Sequence, residues 1–280
     1  MPISTIEIVP LTATIGAELH GVDLATAPDD AATMALIEQA LYEHLVLFFR
    51  GQELTPDQQV RFAGRFGPFE HHAFAKPHPD HPDMTVLDQT TPESDGGNSW
   101  HSDSSFMAQP SLGSVLRAVQ LPPLGGDTCW ASMYAAFDAL SPRLQTMLDG
   151  LTALHDIIVP LEKAVAGGHS VSADLDAIRR SWPPMEHPVV RRHPVTGRRA
   201  LYVNNNFTTR ILGIAKAESD VLLPYLLQHV QRPDFQVRFR WATGSVAMWD
   251  NRVTQHYAVP DYTGHRRIMH RVTLTGERPR

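Results

Sequence analysis

Gln236-Val237-Arg238-Phe239-Arg240-Trp241-Ala242-Thr243-Gly244-Ser245-Val246-Ala247-Met248-Trp249 is the stretch that decides the fold. Its first half alternates apolar Val237, Phe239 and Trp241 with Arg238 and Arg240, the period of two that turns one face of a strand toward a core. Gly244 breaks the run, and residues 245–249 resume it as a second apolar strand. A third alternating run, 267–275, follows a turn at 261–264. Outward from this tail, short branched and aromatic runs recur at 5–9, 46–49, 114–121, 187–191 and 200–203 and are expected as strands. Residues 30–43 carry apolar side chains at helical spacing, and Thr55-Pro56-Asp57 supplies a cap and first-turn proline for a second helix. A third helix is expected over 217–230, although Pro224 interrupts it. Strands are expected to dominate after residue 84. The series predicts a mainly β fold with flanking α-helices, a double-stranded β-helix or jelly roll with helices packed outside. Residues 158–184 read as a helical insertion, either a lid or a surface excursion.

At 280 residues with no linker-like segment, the chain is expected to form a single domain over 1–280. A net charge of -6 gives no general pull toward nucleic acid, while leaving room for local anion sites. Cys129 is the one cysteine, which excludes an internal disulfide and fits a reducing cytoplasm. The most apolar run, 45–49, is far too short to span a bilayer, and residues 1–11 lack a secretory pattern.

The chain contains 15 histidines, so roughly one or two His-x-Asp or His-x-Glu triplets are expected by chance. Three occur. His78-Pro79-Asp80 and His81-Pro82-Asp83 lie in a proline-rich stretch expected to be loop, because proline breaks a strand ladder. His101-Ser102-Asp103 lies in Asn98-Ser99-Trp100-His101-Ser102-Asp103-Ser104-Ser105-Phe106, where an i, i+2 pair in extended chain shares one face and can grip one metal ion. A facial iron site takes its second histidine from a distant strand, leaving three positions open. His256, beyond the apolar strand ending in Trp249-Asp250-Asn251-Arg252, is the candidate. Arg267 and Arg271, at i, i+4 on the last strand, would place two guanidinium groups in one cavity, an arrangement suited to two anions.

The ordered set Trp-His-x-Asp, Gly125-Gly126-Asp127-Thr128, Trp-Asp-Asn-Arg-x-x-x-His and Arg-Arg-Ile-Met-His-Arg resembles the taurine dioxygenase family of 2-oxoglutarate-dependent oxygenases. The likeness extends from Gly16-Ala17-Glu18 through Phe48-Phe49-Arg50-Gly51-Gln52 to the end of the chain. It implies Fe(II), 2-oxoglutarate and O2 as cofactor and cosubstrates, with His101, Asp103 and His256 on iron. It further implies Thr128 and Arg267 on the distal carboxylate of 2-oxoglutarate and Arg271 on a substrate anion. His72, Phe207 and the backbone around Ser104 would line the same pocket, with His71 the alternative to His72. The product chemistry implied is hydroxylation of a small anionic organic molecule (a taurine-like compound, alkylsulfonate, alkyl sulfate or aryloxyalkanoate) with release of succinate and CO2. The family likeness also implies a homo-oligomer, dimer or tetramer.

Where the taurine-specific pattern has an Asn, a Tyr and an aromatic, this chain has Gly97, Ala75 and Leu161. An amine would find few partners there, which favours an uncharged tail. Taken singly, His256 also fits a core histidine, Thr128 an ordinary strand residue, Phe207 a core aromatic and Arg271 one half of a surface ion pair. Trp100, Trp130 and Trp249 are expected to be packing residues, and Asp250 with Arg252 an internal salt bridge. A zinc-dependent hydrolase, or a non-catalytic small-ligand-binding module on the same scaffold, are the alternatives from other classes; the former leaves the Arg267 and Thr128 pair unexplained.

Overall fold

The computed structural model describes residues 6–71, 77–90, 97–162 and 174–280 in full, and 163–166 as backbone. The first strands are β1 (Glu7–Pro10), β2 (Ala17–His20), β3 (Val46–Phe49), β4 (Pro77–His78), β5 (His81–Gln89) and β6 (Ser111–Gln120). The middle of the chain supplies β7 (Thr128–Ser132), β8 (Thr152–His155), β9 (Met185–Pro188), β10 (Val190–Arg192), β11 (Arg199–Leu201) and β12 (Thr208–Leu212). The tail supplies β13 (Gln236–Phe239), β14 (Val246–Asp250), β15 (Thr254–Ala258) and β16 (Arg267–Thr275).

Eight strands form the main sheet in the order β1-β2-β3-β14-β6-β16-β5-β4, antiparallel except where β2 meets β3. Two smaller sheets, β13-β7-β15 and β12-β8-β9, and the β10-β11 hairpin complete the β structure among the described residues. The central strands β3 and β14 read as nearly unbroken apolar runs because both of their faces are covered. Phe48, Leu116, Trp249 and Met269 point inward and pack with Trp130, Val237 and Phe239 of the opposing sheet. Leu47, Phe49, Met248 and Val272 point outward, where they meet Ile37, Leu41 and Phe62 of two helices. The result is the mainly β jelly roll that the alternation predicts.

Those helices are α1 (Ala31–His44), capped by Asp30, and α2 (Pro56–Ala63), where Thr55 and Gln58 form a reciprocal capping box. Later come α3 (Met133–Asp138), α4 (Pro142–Leu148), α5 (Ile158–Ala166), α6 (Leu175–Ser181) and α7 (Lys216–His229). The helix α7 runs through Pro224 with its core side chains buried on one face. Neither α3 nor α4 was expected, yet α4 carries the same signal as α2, a capping Ser141 ahead of Pro142.

Two other expectations are corrected. The proline-rich stretch is not all loop: His78 ends β4, Pro79-Asp80 is the turn, and His81-Pro82-Asp83 opens β5, a hairpin at the edge of the main sheet. Proline is tolerated there, because the pairing of β5 with β16 begins only at Met84, beyond Pro82. The run 187–191 is two strands, not one. Its chain passes from β9 to β10 at Val189, after Pro188 ends the ladder with β8.

Candidate metal centre and active site

The strands bring His101 and His256 together directly: each donates its backbone N–H to the other's carbonyl, at 3.1 and 2.8 Å, and their rings lie 4.2 Å apart. His101 Nδ1 is 2.7 Å from the Ser99 carbonyl, a contact that fixes the proton on Nδ1 and leaves Nε2 as a free donor atom for a metal. Asp103 Oδ1 stands 3.6 Å from His101 Nε2 and 3.8 Å from His256 Nε2. Asn251 orients the Asp103 peptide from both ends, accepting from its N–H at 2.8 Å and donating to its carbonyl at 3.0 Å. All three side chains are buried, and their candidate ligand atoms lie within 4.8 Å of one another.

The charge states suit a divalent metal. Burial opposes ionisation of Asp103, but His256, Arg271 and His101 outweigh it and hold the carboxyl well below the usual carboxylate range. Burial, with His101 beside it, pushes His256 down to about 3, so this imidazole is neutral at pH 7. Asp103 Oδ2 and His256 Nδ1 are buried with no hydrogen-bond partner among the described residues. One anionic oxygen and two imidazole nitrogens, incompletely satisfied by protein, form a donor set that fits iron(II).

On β16, Arg267, Met269 and Arg271 share the face turned between the sheets, as their spacing requires. Arg271 Nη1 lies 3.6 Å from Asp103 Oδ1, which places this guanidinium at the triad. Arg267 is 6% exposed and has no carboxylate in salt-bridge range among the described residues. Burial lowers its pKa, with Tyr262 and Asp127 opposing, and its Nε has no partner. A guanidinium so placed is costly unless an anion meets it. Close by, a Cβ on Gly126 would stand 3.1 Å from Arg267 Cδ, so glycine lets the Gly125-Gly126-Asp127-Thr128 turn press against this side chain. Thr128 is buried, and its Oγ1 accepts from Trp241 Nε1 at 3.0 Å, which leaves its own O–H free to donate.

Other expected residues are distributed unevenly. Phe207 is a core aromatic, 5.1 Å from Phe106 and packed with Ile157, Ile158 and Ile178, so it joins the loop after Asp103 to α5 and α6. Leu161 packs on the same cluster. His72 and Ala75 lie outside the described residues. His71 meets Asp83 at 3.5 Å and is largely exposed. Ser104, buried beside Asp103, has a left-handed backbone (φ 56°). Trp130, Trp249 and Trp100 are packing residues, and Arg252 grips Asp250 through two bonds of 2.8 and 2.6 Å, with His193 adding a third at 2.9 Å.

Two residues at the site escape sequence reasoning as functional groups. Asn251 belongs to the Trp-Asp-Asn-Arg motif, but its adjacency to Asp250 gives no hint that it holds Asp103. Glu70, whose carboxylate accepts from Ser104 and Ser111 at 2.7 Å each, carries no signal at all.

A jelly roll that presents two histidines and an aspartate on one spot, with two inward arginines on the adjoining strand, defines the class: a non-haem iron, 2-oxoglutarate-dependent dioxygenase. The chain belongs to the taurine catabolism dioxygenase TauD, TfdA family, whose model matches residues 7–273. Among curated relatives, an alpha-ketoglutarate-dependent sulfate ester dioxygenase of Pseudomonas putida is 40% identical, covering 98% of this chain and 91% of that one. An alkylsulfatase of Acinetobacter baylyi is 36% identical over 99% and 87%. A taurine dioxygenase crystal structure from Burkholderia xenovorans superposes with a TM-score of 0.83 at 39% identity, covering 98% and 90%. No helix among the described residues is long and apolar enough to cross a membrane.

Proposed function

We propose that this dioxygenase hydroxylates a small organic anion whose tail is uncharged and apolar, an alkyl sulfate ester foremost, then a longer alkylsulfonate or an aryloxyalkanoate. The observation that carries this is the pair of inward guanidiniums on β16: Arg271 at the triad and Arg267 buried without an acid partner. The two cations suit two carboxylate- or sulfate-like ligands bound side by side.

In this reading His101, Asp103 and His256 hold iron, Arg267 and the Thr128 hydroxyl take the distal carboxylate of 2-oxoglutarate, and Arg271 takes the substrate anion. Bound iron(II), 2-oxoglutarate and oxygen supply the power to replace a C–H bond by C–OH with release of succinate and CO2. The protein's own part is positioning. Arg271 fixes the head group, while the cluster of Phe106, Phe207, Ile157, Ile158 and Ile178 offers an apolar wall and keeps water from the tail. Ser104, buried beside Asp103, lies at the same site. Where the new hydroxyl sits on a carbon bearing an ester oxygen, the C–O bond breaks, giving an aldehyde and the free sulfate. The names of the two curated relatives, a sulfate ester dioxygenase and an alkylsulfatase, favour this outcome.

The chain is read as one catalytic domain over 1–280, with Ile158 of α5 and Ile178 of α6 on the apolar wall beside Phe207. Buried, unpaired Cys129 supports a cytoplasmic location, and family likeness supports a homo-oligomer. A panel of taurine, linear alkanesulfonates, alkyl sulfates and aryloxyalkanoates tests the substrate class through succinate formation and release of sulfite, sulfate, aldehyde or phenol. Burying an ammonium without partners costs several kcal/mol, whereas each buried methylene contributes about 0.8 kcal/mol. Alkyl sulfates should therefore give the highest kcat/KM, rising with chain length. A highest value for taurine would overturn the proposal.

A further inference from the structure

We propose that Glu70 is a positioning residue that holds Ser104 in its left-handed conformation and thereby aims the Asp103 carboxylate at His101 and His256. Three segments meet at Glu70. Its Oε1 accepts from the Ser104 hydroxyl at 2.7 Å, and its Oε2 accepts from the Ser111 hydroxyl, at the start of β6, at the same distance. Its backbone N–H donates to the Thr273 carbonyl of β16 at 2.9 Å, inside a short antiparallel contact that also pairs Phe69 with Leu274. The carboxylate is therefore anchored to the strand that carries Arg267 and Arg271, and reaches across to the loop that carries His101 and Asp103.

That loop needs an anchor. Ser104 has φ 56°, a region in which the Cβ of an L-residue crowds the following carbonyl and which glycine, asparagine and aspartate visit far more readily than serine. The strain falls on the residue bonded to Asp103, so a Ser104 free to relax would pull against the peptide that Asn251 holds and loosen the aim of the Asp103 carboxylate at the triad. Asn251 holds the Asp103 N–H and the carbonyl of the Asp103–Ser104 peptide, but its contacts with this loop stop there and do not include the Ser104 side chain or carbonyl. Ser104 is 2% exposed, so without Glu70 its hydroxyl would also lack an acceptor in a buried place. A carboxylate with two oxygens can accept from both serines at once, and this bridging, rather than a unit of charge, is what Glu70 contributes.

The inference rests on Asp103 being a metal ligand, and the closing experiment separates the two ideas. Four proteins are compared: wild type, Glu70→Ala, Glu70→Gln, and Glu70→Ala combined with Ser104→Gly. Amide hydrogen exchange of residues 103–107 in metal-free protein reads the loop alone, including the Met107 N–H that donates to the Ser104 carbonyl. Titration with Co(II), followed by its visible absorption, reads the site. Glu70→Ala should speed exchange in the loop and weaken Co(II) binding about tenfold. Glu70→Gln should stay within about threefold of wild type, because an amide can accept from one serine and donate to the other. Glycine at 104 adopts the left-handed region without strain and should recover most of the Co(II) affinity lost in Glu70→Ala. Should Glu70→Ala fail to fold, Ser111→Ala, which frees one end of the bridge, takes its place with the same rescue expected. A Glu70→Gln protein as impaired as Glu70→Ala, or a double variant no better than the single one, would overturn the proposal. Altered exchange with unchanged Co(II) affinity would overturn it too, whereas Asp103→Ala, which leaves the Glu70 bridge in place, tests the ligand assignment by itself: unchanged Co(II) affinity there would show that Asp103 is not a ligand.

Discussion

Asp103 concentrates the chemistry of the site, because one carboxylate oxygen faces two imidazoles and a guanidinium within 4 Å. Replacing His101, Asp103 or His256 by alanine leaves two ligands for a labile divalent ion. Each variant should bind Co(II) or Fe(II) at least about a hundredfold more weakly. Each should also fail to develop the weak visible charge-transfer band when Fe(II) and 2-oxoglutarate are added without oxygen. A normal band in any one of them would remove that residue from the ligand set. The two arginines should separate cleanly. On the proposed assignment, Arg267→Ala removes a charge-assisted contact worth about 1.5–3 kcal/mol and should raise the 2-oxoglutarate requirement by roughly ten- to a hundredfold. Arg271→Ala should spare that requirement and raise the KM for the anionic substrate. Separate titrations of the two ligands check this, and swapped phenotypes would exchange the assignments.

At the scale of elements, the turn between β14 and β15 combines stability with site geometry. Asp250 and Arg252 pair inside the protein while Asn251, between them, holds Asp103. Burial opposes the ionised form of Asp250, but Arg252 and His193 keep its pKa below the usual carboxylate range. A depressed folded-state pKa means that the pair's contribution is complete above about pH 4 and is lost as pH falls below it. Arg252→Met leaves an uncompensated buried carboxylate and should cost about 3–5 kcal/mol at pH 7. Because protonation of Asp250 relieves that penalty, the gap from wild type should narrow toward pH 4. Urea denaturation at the two pH values measures it; a gap that widens in acid would contradict the sign. Elements also show where sequence was legible. Thr55-Pro56-Asp57 announced α2 because capping is local, and the strand runs of the tail were readable because their period is local. The edge position that lets Pro82 sit in β5 is set by the order of strands, which no local pattern encodes. Val189 likewise divides β9 from β10 because the two strands pair with different partners.

Across the whole molecule, the gathering of His101, Asp103 and His256 was legible because two of them are two residues apart and the third lies in a distinctive motif. Glu70 was not legible, because Ser104 and Ser111 lie 34 and 41 residues further along and meet it only after the main sheet closes. The same long-range logic governs the mutual backbone bonds of His101 and His256. The two histidines are 155 residues apart in sequence. At a synthesis rate of ~5–20 residues per second, the second leaves the ribosome roughly ten to thirty seconds after the first. During that interval the growing chain exposes a His-x-Asp pair that cannot by itself make the three-ligand site, so premature capture of a competing ion is weak and reversible. Metal selection thus becomes a late event, decided by the finished fold and the ions then at hand rather than by whichever ion first met the nascent chain.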